Sequence, residues 1–362
     1  MAESRDPGPA AQPPDAPTLA RALGISPEAA EIYLASDVVD LHVDSFIWTR
    51  VLGYDLRRRH GRGLLSARYY SQVDFPRMRE AGVSGALWSI TTNPLRGATG
   101  RAAAFGRNIS ELERICTDAN DQVALVRNLA EYRAARAAGR HAVMIAVQGG
   151  NALDRDAQAL DVLKDGRVLA VTLVHLSRSG LGGSSSPLDR GAGGLTDAGR
   201  AYVERLDALR VFVDLAHIDK RAFSDAVAVH DKSRPLLVSH TGVDGVCKSW
   251  RNIDDAQLRA VADTGGVVGV IFHGGYLGGS YFGGGRAELI VDHLAHIVRV
   301  VGEDHAALGS DWDGAIITPR DMPTCLELPR LVQHMLERGF SPQRVQKILG
   351  GNFLRALQTL RG

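Results

Sequence analysis

The sequence of 362 residues has few cysteines and almost no excess of charge of either sign. Its three cysteines, Cys116, Cys247 and Cys325, are far apart and form no CxxC or zinc-finger spacing. This argues against a disulfide framework and against a thiolate metal site. Lys and Arg total 42 and Asp and Glu total 41, so the formal net charge is +1. Binding to nucleic acid or to an anionic membrane usually requires a clear cationic excess, so we expect neither partner.

Long apolar segments are also missing. No apolar run reaches about 18 residues, the length that suggests a membrane-spanning helix. The N-terminal segment MAESRDPGPAAQPPDAPTLARAL has no apolar core of the kind found in secretory signals. We therefore expect a cytoplasmic protein. Residues 1–17 are rich in Pro, Ala and charge, which predicts a disordered tail.

Glycine is abundant, with 40 residues, and hydrophobic residues make up 45% of the chain, as in a globular protein with a sizeable core. Eight short apolar runs recur, and amphipathic helical patterns separate them. The runs are Asp37–Asp44, Val83–Thr91, His141–Gly149, Val168–His175, Val211–His217, Pro235–His240, Gly266–His273 and Ala306–Asp313. Each has the length of a buried parallel strand and lacks regular alternation.

Eight strand–helix units predict an α/β protein with a closed (β/α)₈ TIM barrel. The alternative is a doubly wound open sheet, which six units would fit better. We expect one barrel domain over residues 18–362, with a lead-in helix that starts at Ser26-Pro27 and a closing helix over Arg344–Arg361, interrupted at Gly350-Gly351. Long loops are expected at about 45–80, 176–195 and 273–287.

Polar residues collect at the predicted strand ends, where a barrel carries its chemistry. They are His42, Asp44, Gln148, His175, His217, His240, His273, Asp311 and Asp313. A single histidine at a strand end is often only a hydrogen-bonded structural residue. A cluster of imidazoles and carboxylates is costly to bury unless a divalent cation takes these groups as ligands. The pattern therefore predicts a metal site.

The spacing suggests how the ligands divide. His42 and Asp44 are two apart in a strand and point to the same side, so both can bind one ion. Asp311 ends the eighth strand, next to the first in a closed barrel, and faces that ion. His217 and His240 end neighbouring strands and could share a second ion. Asp313 either supports a ligand or is only a turn residue before Gly314.

The order of several motifs resembles the membrane (renal) dipeptidase family of zinc peptidases, peptidase family M19, within the amidohydrolase-like barrels. The motifs are DLHVD, a GG after the third strand, TLVH, LTDAGR, VDLAH, VSHTG, RNIDD, GSDWDG and GNFLRAL. The resemblance runs from about residue 37 to about residue 357. It implies a metal-dependent hydrolase of a dipeptide, or of a related small amide with a free carboxylate, and a homodimer.

The resemblance also implies roles for single residues. It implies two zinc ions bridged by a hydroxide that acts as the nucleophile, with His42 and Asp44 on one ion and His217 and His240 on the other. Matched to the family motifs, His175 polarises the scissile carbonyl, Asp311 is the acid/base carboxylate, and Arg251 and Tyr276 hold the substrate's carboxylate. Taken alone, Arg251 would be read as a solvated cation at a helix start, and Tyr276 as a loop aromatic.

One position departs from the family pattern. The family has a glutamate that bridges both metals at the end of the third strand, and this chain has Gln148. A neutral amide bridges two cations poorly, so we expect one firm zinc ion and a second that is weak or absent. His273 could be a replacement ligand or a substrate contact. Three explanations stay open: an enzyme with one strong metal, a diverged enzyme for an N-acyl amino acid or biosynthetic intermediate, or a catalytically silent binding protein.

Overall fold

Parallel β-strands form the central sheet. The computed structural model describes residues 13–63, 65–91, 97–154 and 157–362. Within these ranges the strands are β1 Val39–Val43, β2 Gly85–Thr91, β3 Val123–Leu125, β4 His141–Gln148, β5 Val168–Thr172, β6 Phe212–Asp214, β7 Leu237–Thr241, β8 Val267–Val270 and β9 Ala306–Leu308. Most of their residues are buried, as expected for strands covered on both faces.

The sheet closes into a barrel of eight strands. β1 pairs with both β2 and β9, and β2 pairs with β4 along the whole length of β2, so the order runs β1-β2-β4-β5-β6-β7-β8-β9 and returns to β1. The predicted (β/α)₈ barrel is confirmed, and the open doubly wound alternative is excluded. Each predicted run coincides with one of the barrel strands, although β7 extends one residue beyond its run, to Thr241.

The short strand β3 was not predicted. It pairs with the first residues of β4, on the edge that β5 occupies further along. The three residues of β3 lie between two helices and are too few to show a strand pattern.

Helices surround the barrel. Within the described ranges they are α1 Ala16–Leu23, α2 Pro27–Ala35, α3 Phe46–Leu52, α4 Phe75–Glu80, α5 Ala98–Asp118, α6 Leu129–Ala137, α7 Asp197–Ala208, α8 Lys220–Val229, α9 Asp255–Ala262, α10 Glu288–Val301, α11 Pro329–Glu337, α12 Pro342–Gln346 and α13 Asn352–Arg361. The 45–80 region, predicted as a loop, contains α3 and α4. Among the described helices, none has both the length and the apolar character needed to cross a bilayer.

The two terminal helical regions follow the predicted pattern. Ser26 begins the lead-in helix α2, since its hydroxyl accepts a hydrogen bond from the backbone N–H of Ala29 at 3.1 Å. The predicted tail 1–17 overlaps α1, which begins at Ala16, and residues 1–12 lie outside the described residues.

At the other terminus, a π-helical turn over Lys347–Gly351 separates α12 from α13. A Cβ at Gly350 would lie 2.5 Å from the carbonyl oxygen of Asp37, so only glycine allows this close approach.

The closing helix and the loops after the strands occupy opposite ends of the barrel. Phe353 of α13 packs on Phe212, the first residue of β6, with ring centroids 5.8 Å apart. Because Phe212 begins its strand, α13 covers the N-terminal end of the barrel. The C-terminal end is left to the loops that follow the strands, which is where barrel enzymes place their active sites.

A buried ion pair holds the segment between β1 and β2. Asp74 begins α4, and its carboxylate accepts a hydrogen bond from Arg77 Nε at 2.6 Å. Both side chains are excluded from solvent. The Arg77 guanidinium also donates to the carbonyl of Ser71 at 3.1 Å and to the hydroxyl of Tyr54 at 2.9 Å. Arg77 thus ties the segment after α3 to α4.

Asp74→Asn should strongly destabilise the protein, because it keeps the helix cap but leaves the buried Arg77 charge without a carboxylate. We expect the free energy of unfolding in urea to fall by about 3 kcal/mol. Glu80→Gln, which removes the half-exposed partner of Arg59, is the control and should cost at most about 1 kcal/mol. Equal losses in the two variants would contradict the role given to Arg77.

Candidate metal centre and active site

A cavity of about 610 Å³ lies at the C-terminal ends of the strands. Most of the predicted site residues line it, and they are Asp44, Gln148, His175, His217, Arg251, His273, Tyr276, Asp311 and Asp313. His42 and His240 are fully buried next to it, as their contacts below show. The structure therefore brings the whole predicted set to one end of the barrel.

Three of these residues form a group that fits a metal ion. One ligand atom from each of His42, His240 and Asp311 lies within 4.8 Å of the other two. His42 Nε2 is 3.7 Å from an oxygen of Asp44 and 3.8 Å from an oxygen of Asp311. This nitrogen is buried and has no hydrogen-bond partner. A buried imidazole nitrogen near two carboxylates suits a divalent cation, which would give each group a partner.

The sequence prediction assigned His240 to a second ion with His217, but the structure places His240 in one group with His42 and Asp311. The rings of His42 and His240 stack with centroids 3.8 Å apart. His240 Nε2 also lies 2.9 Å from His217 Nε2. His240 is thus the residue that connects the two predicted halves of the site.

Gln148 lies between the two halves. Its amide nitrogen is 3.3 Å from His217 Nε2, and its amide oxygen is 2.9 Å from the hydroxyl of Thr91. The same hydroxyl is 3.1 Å from Asp44 Oδ1. Gln148 therefore contacts His217 directly and Asp44 only through the Thr91 hydroxyl, and it supplies a negative charge to neither half.

His217 is a buried neutral imidazole, and His175 is a neutral imidazole that is partly exposed to the cavity. Their rings meet edge to face with centroids 4.7 Å apart. Burial lowers the pKa of His175 to about 4, and burial likewise holds the pKa values of His217 and His240 well below the usual value. Near neutral pH each imidazole keeps one N–H and one lone pair, the form that can bind a metal or donate to a carbonyl.

Asp311, a member of the group, is held in a strained conformation. Its φ of 63° lies in the left-handed region, as does the φ of 66° at His217. Such residues cost on the order of 1–3 kcal/mol each and concentrate at functional sites. A Cβ at Gly314 would lie 2.2 Å from Asp311 Oδ1, which explains the glycine of GSDWDG. Burial, with the negative charge of Asp44, raises the pKa of Asp311 to about 8.

Arg251 is a buried cation in the same cavity. Its side chain donates a hydrogen bond to the carbonyl oxygen of His240 at 2.6 Å, and the residue is 3% exposed. The alternative of a solvated cation at a helix start is therefore wrong. Burial lowers the pKa of Arg251, and Asp311 partly opposes this effect.

Tyr276 and His273 belong to an aromatic wall of the cavity. The two rings meet edge to face at 4.8 Å, and both also contact Tyr281. His273 Nδ1 receives a hydrogen bond from the backbone N–H of Ile317 at 3.3 Å. Of the two hypotheses for His273, this position in the wall favours a substrate contact over a replacement ligand.

Asp313 links two loops. Its carboxylate accepts hydrogen bonds from the Ser45 hydroxyl at 2.5 Å and from the backbone N–H of Gln72 at 2.8 Å, and its carbonyl accepts from the Trp48 indole at 2.6 Å. It is a support for the cavity wall, and more than a turn residue.

Several residues around the site were not singled out from the sequence. Exposed large apolar side chains line the cavity mouth, namely Tyr69, Leu176, Leu188, Tyr281 and Phe282. They lie in loops, where the sequence carries no periodic signal. Thr91, Asp214 and Ser239 are polar residues inside or at the end of buried strands, and that misfit between residue type and position is the signal that could have found them.

A model of the membrane dipeptidases, peptidase family M19, matches residues 27–361. The chain belongs to this family. It is a metal-dependent hydrolase of the dipeptidase type, acting on peptide bonds. The resemblance inferred from the motifs is thereby confirmed.

One curated relative agrees with this assignment, and two solved structures share the fold. Dipeptidase aclJ of Aspergillus oryzae is 25% identical over 329 residues, which cover 88% of this chain and 77% of that protein. A metallopeptidase of Rhodobacter sphaeroides, liganded with a phosphinate mimic of the dipeptide L-Ala-D-Ala, is 24% identical with a TM-score of 0.77, covering 89% of this chain and 99% of that one. The probable dipeptidase PvdM of Pseudomonas aeruginosa is 19% identical with a TM-score of 0.81, covering 92% and 98%. The two structures show the same fold.

If the buried group binds a metal, zinc should stabilise the folded protein. A ligand that binds only the folded state adds about 2.7 kcal/mol at a concentration 100 times its Kd. We expect zinc to raise the melting temperature of chelator-treated protein, and His42→Ala to lose most of this rise. His334→Ala, a histidine on α11, should keep it. A full zinc-dependent rise in His42→Ala would contradict the assignment of His42.

Proposed function

We propose that this M19 protein is a zinc-dependent hydrolase of dipeptides, or of related small amides, whose free carboxylate Arg251 binds. One observation carries the proposal: the unpaired, buried Nε2 of His42 lies between Asp44 and Asp311 and belongs to the same site as the buried Arg251. A cation site and a carboxylate-binding group thus lie on one cavity. This combination suits a small substrate with a free carboxyl terminus.

His42, Asp44 and Asp311 would hold the firm zinc ion together with His240, whose ligand atom lies within 4.8 Å of those of His42 and Asp311. When bound, a zinc ion lowers the pKa of water and so supplies a nucleophile near neutral pH. The chain's own residues would position the substrate and move the proton. Arg251 would fix the carboxylate through paired N–H donors, and Tyr276 would support that contact.

His175 and Asp311 would act on the scissile bond. The neutral imidazole of His175 can donate its N–H to the carbonyl oxygen as charge develops there. A carboxylate oxygen of Asp311 can take the proton of the attacking water and deliver it to the departing amine. Both groups belong to the lining of the cavity that Arg251 also lines.

Gln148 makes the second half of the proposed site weak. Beyond His240, which the firm ion would share, the second half has only the neutral imidazole of His217, and the Gln148 amide adds no charge there. Each additional dication must then be held without a bridging carboxylate. We propose one firm zinc ion and a second that binds weakly or not at all.

Gln148→Glu should raise the number of zinc ions bound per chain, because it restores a negative charge between the two halves. Metal analysis after equilibrium dialysis against zinc measures the stoichiometry. Gln257→Glu, at the cap of α9, makes the same exchange away from the site and should leave the stoichiometry unchanged. Unchanged metal content and rate in Gln148→Glu would place Gln148 outside the metal shell.

An N-acyl amino acid is the second candidate substrate, and the apolar cavity mouth favours it. Leu188 and Phe282 are 77% and 74% exposed at that mouth. An acyl chain could cover such side chains while Arg251 held the carboxylate. A cytoplasmic location stays a prediction from the sequence, and a homodimer stays an expectation from the family resemblance.

A substrate panel tests the proposal. Wild-type protein with zinc should hydrolyse free dipeptides faster than dipeptides whose carboxyl terminus is amidated, and a chelator should abolish both activities. N-acyl amino acids in the same panel decide between the two substrate classes. Arg251→Lys should raise KM for free dipeptides at least about tenfold, since hydrogen bonds to charged groups contribute about 1.5–3 kcal/mol.

The amidated dipeptides serve as the control within the same variant, because they lack the group that Arg251 binds. Equal effects of Arg251→Lys on free and amidated substrates would contradict its role. Zinc binding without turnover of any substrate would favour the catalytically silent binding protein.

A further inference from the structure

We infer that Asp214 and Ser239 form a positioning chain that fixes which nitrogen of His240 carries the proton, so that the Nε2 lone pair faces the metal site. The inference rests on the proposed function, in which His240 belongs to the metal centre. Neither Asp214 nor Ser239 lines the cavity; both act through His240. The chain consists of two hydrogen bonds, one between Ser239 and Asp214 and one between Ser239 and the His240 imidazole.

Asp214 is a buried carboxylate that accepts four hydrogen bonds from nearby donors. Its Oδ1 accepts hydrogen bonds from the backbone N–H groups of Ala216 at 3.1 Å and Ser239 at 2.9 Å. Its Oδ2 accepts from the hydroxyls of Thr172 and Ser239, both at 2.6 Å. Distances of 2.5–2.7 Å are typical of a hydroxyl that donates to an ionised carboxylate. Asp214 is therefore an acceptor only.

The direction of the Ser239–Asp214 hydrogen bond determines the role of Ser239 toward His240. A serine hydroxyl has one proton, and Ser239 donates it to Asp214. Its oxygen lies 2.8 Å from His240 Nδ1, so the oxygen must accept a hydrogen bond from Nδ1–H. A neutral imidazole has one N–H, and here it is on Nδ1. Nε2 is left with its lone pair, as metal ligation requires.

The neighbour of His240 Nε2 is a second imidazole nitrogen, and this contact suits a lone pair on His240. His217 Nε2 lies 2.9 Å from His240 Nε2 and also 3.3 Å from the amide nitrogen of Gln148. With the proton of His240 on Nδ1, the Nε2–H of His217 can donate to the Nε2 lone pair of His240 when no metal is bound. A cation bound by His240 would take the place of this proton donor.

Asp214→Asn tests the chain with almost no change in shape. The backbone N–H groups of Ala216 and Ser239 would hold the new amide oxygen, so its NH₂ would donate to the hydroxyls of Thr172 and Ser239. The Ser239 proton would then turn to His240 Nδ1, and the imidazole proton would move to Nε2. We expect zinc affinity to fall about 10–100-fold, the usual effect of losing a group that orients a metal ligand.

Two measurements read the result. Competition with a chromophoric chelator gives the Kd for zinc, and ¹⁵N–¹H NMR of histidine-labelled protein shows which His240 nitrogen carries the proton. We expect the proton on Nδ1 in wild type before zinc is added, and on Nε2 in Asp214→Asn. The NMR readout does not depend on activity.

Ser239→Ala and Ser84→Ala form a matched pair. Ser239→Ala removes the acceptor of Nδ1–H and should also weaken zinc binding. Ser84 is a buried serine that donates to the Val38 carbonyl at 2.8 Å and lies 2.7 Å from the Tyr132 hydroxyl, just before β2 at the other end of the barrel. Ser84→Ala should lower the melting temperature without changing the Kd for zinc.

The outcomes separate this inference from the proposed function. Wild-type protein that binds zinc but hydrolyses nothing in the panel contradicts the function and leaves the positioning chain intact. A proton on Nε2 of His240 in wild type overturns the chain whatever the activity. Zinc binding by Asp214→Asn and Ser239→Ala that is as tight as in wild type also overturns it. If Asp214→Asn does not fold, the wild-type spectrum and Ser239→Ala still decide.

Discussion

The burial of carboxylates at the C-terminal end of the barrel is the constraint on which the site depends. Asp40 and Asp214 are satisfied by donors of the chain itself: Asp40 accepts from the backbone N–H groups of His42 at 3.0 Å and Ser310 at 2.9 Å, and Asp214 has four donors. The carboxylate of Asp311 approaches His42 Nε2 only at 3.8 Å. A buried charge without close partners is costly. Asp40 and Asp214, which have close donors, therefore support the fold, whereas the Asp311 carboxylate suits a bound cation.

Much of the fold and of the candidate site could be predicted, because the C-terminal ends of all strands in a parallel barrel lie at the same end of the barrel. Buried apolar runs located the eight strands, and the polar residues that follow them had to meet at one end. The short strand β3 carried too little pattern to be seen. The pairing of His42 with His240 could not be read, because it depends on distances between side chains of strands that are not adjacent in the barrel. The burial of Arg251 likewise follows from the folding of a loop.

Gln148 shows how one side chain can change a site while the surrounding geometry is kept. Its amide occupies the central position and contacts Thr91 and His217, so the two halves remain connected by hydrogen bonds. Relative to the glutamate that the family resemblance implies at this position, the amide lacks a negative charge. Family membership gives the type of reaction, and the number of metal ions proposed above rests on the electrostatics of this chain.

The metal group lies at the junction between β1 and β9, where the barrel closes, so a bound ion would also have a structural role. These strands close the barrel through one paired register, Asp40 with Leu308, and through a bridge between Val43 and Trp312. Asp40 and Ser310, which also meet there, are 270 residues apart in the chain. An ion held by His42 and Asp311 would fasten the first and last strands across this long separation, where closing a loop costs the most entropy. Loss of the ion would then loosen the ring itself, beginning at the seam where the barrel closes.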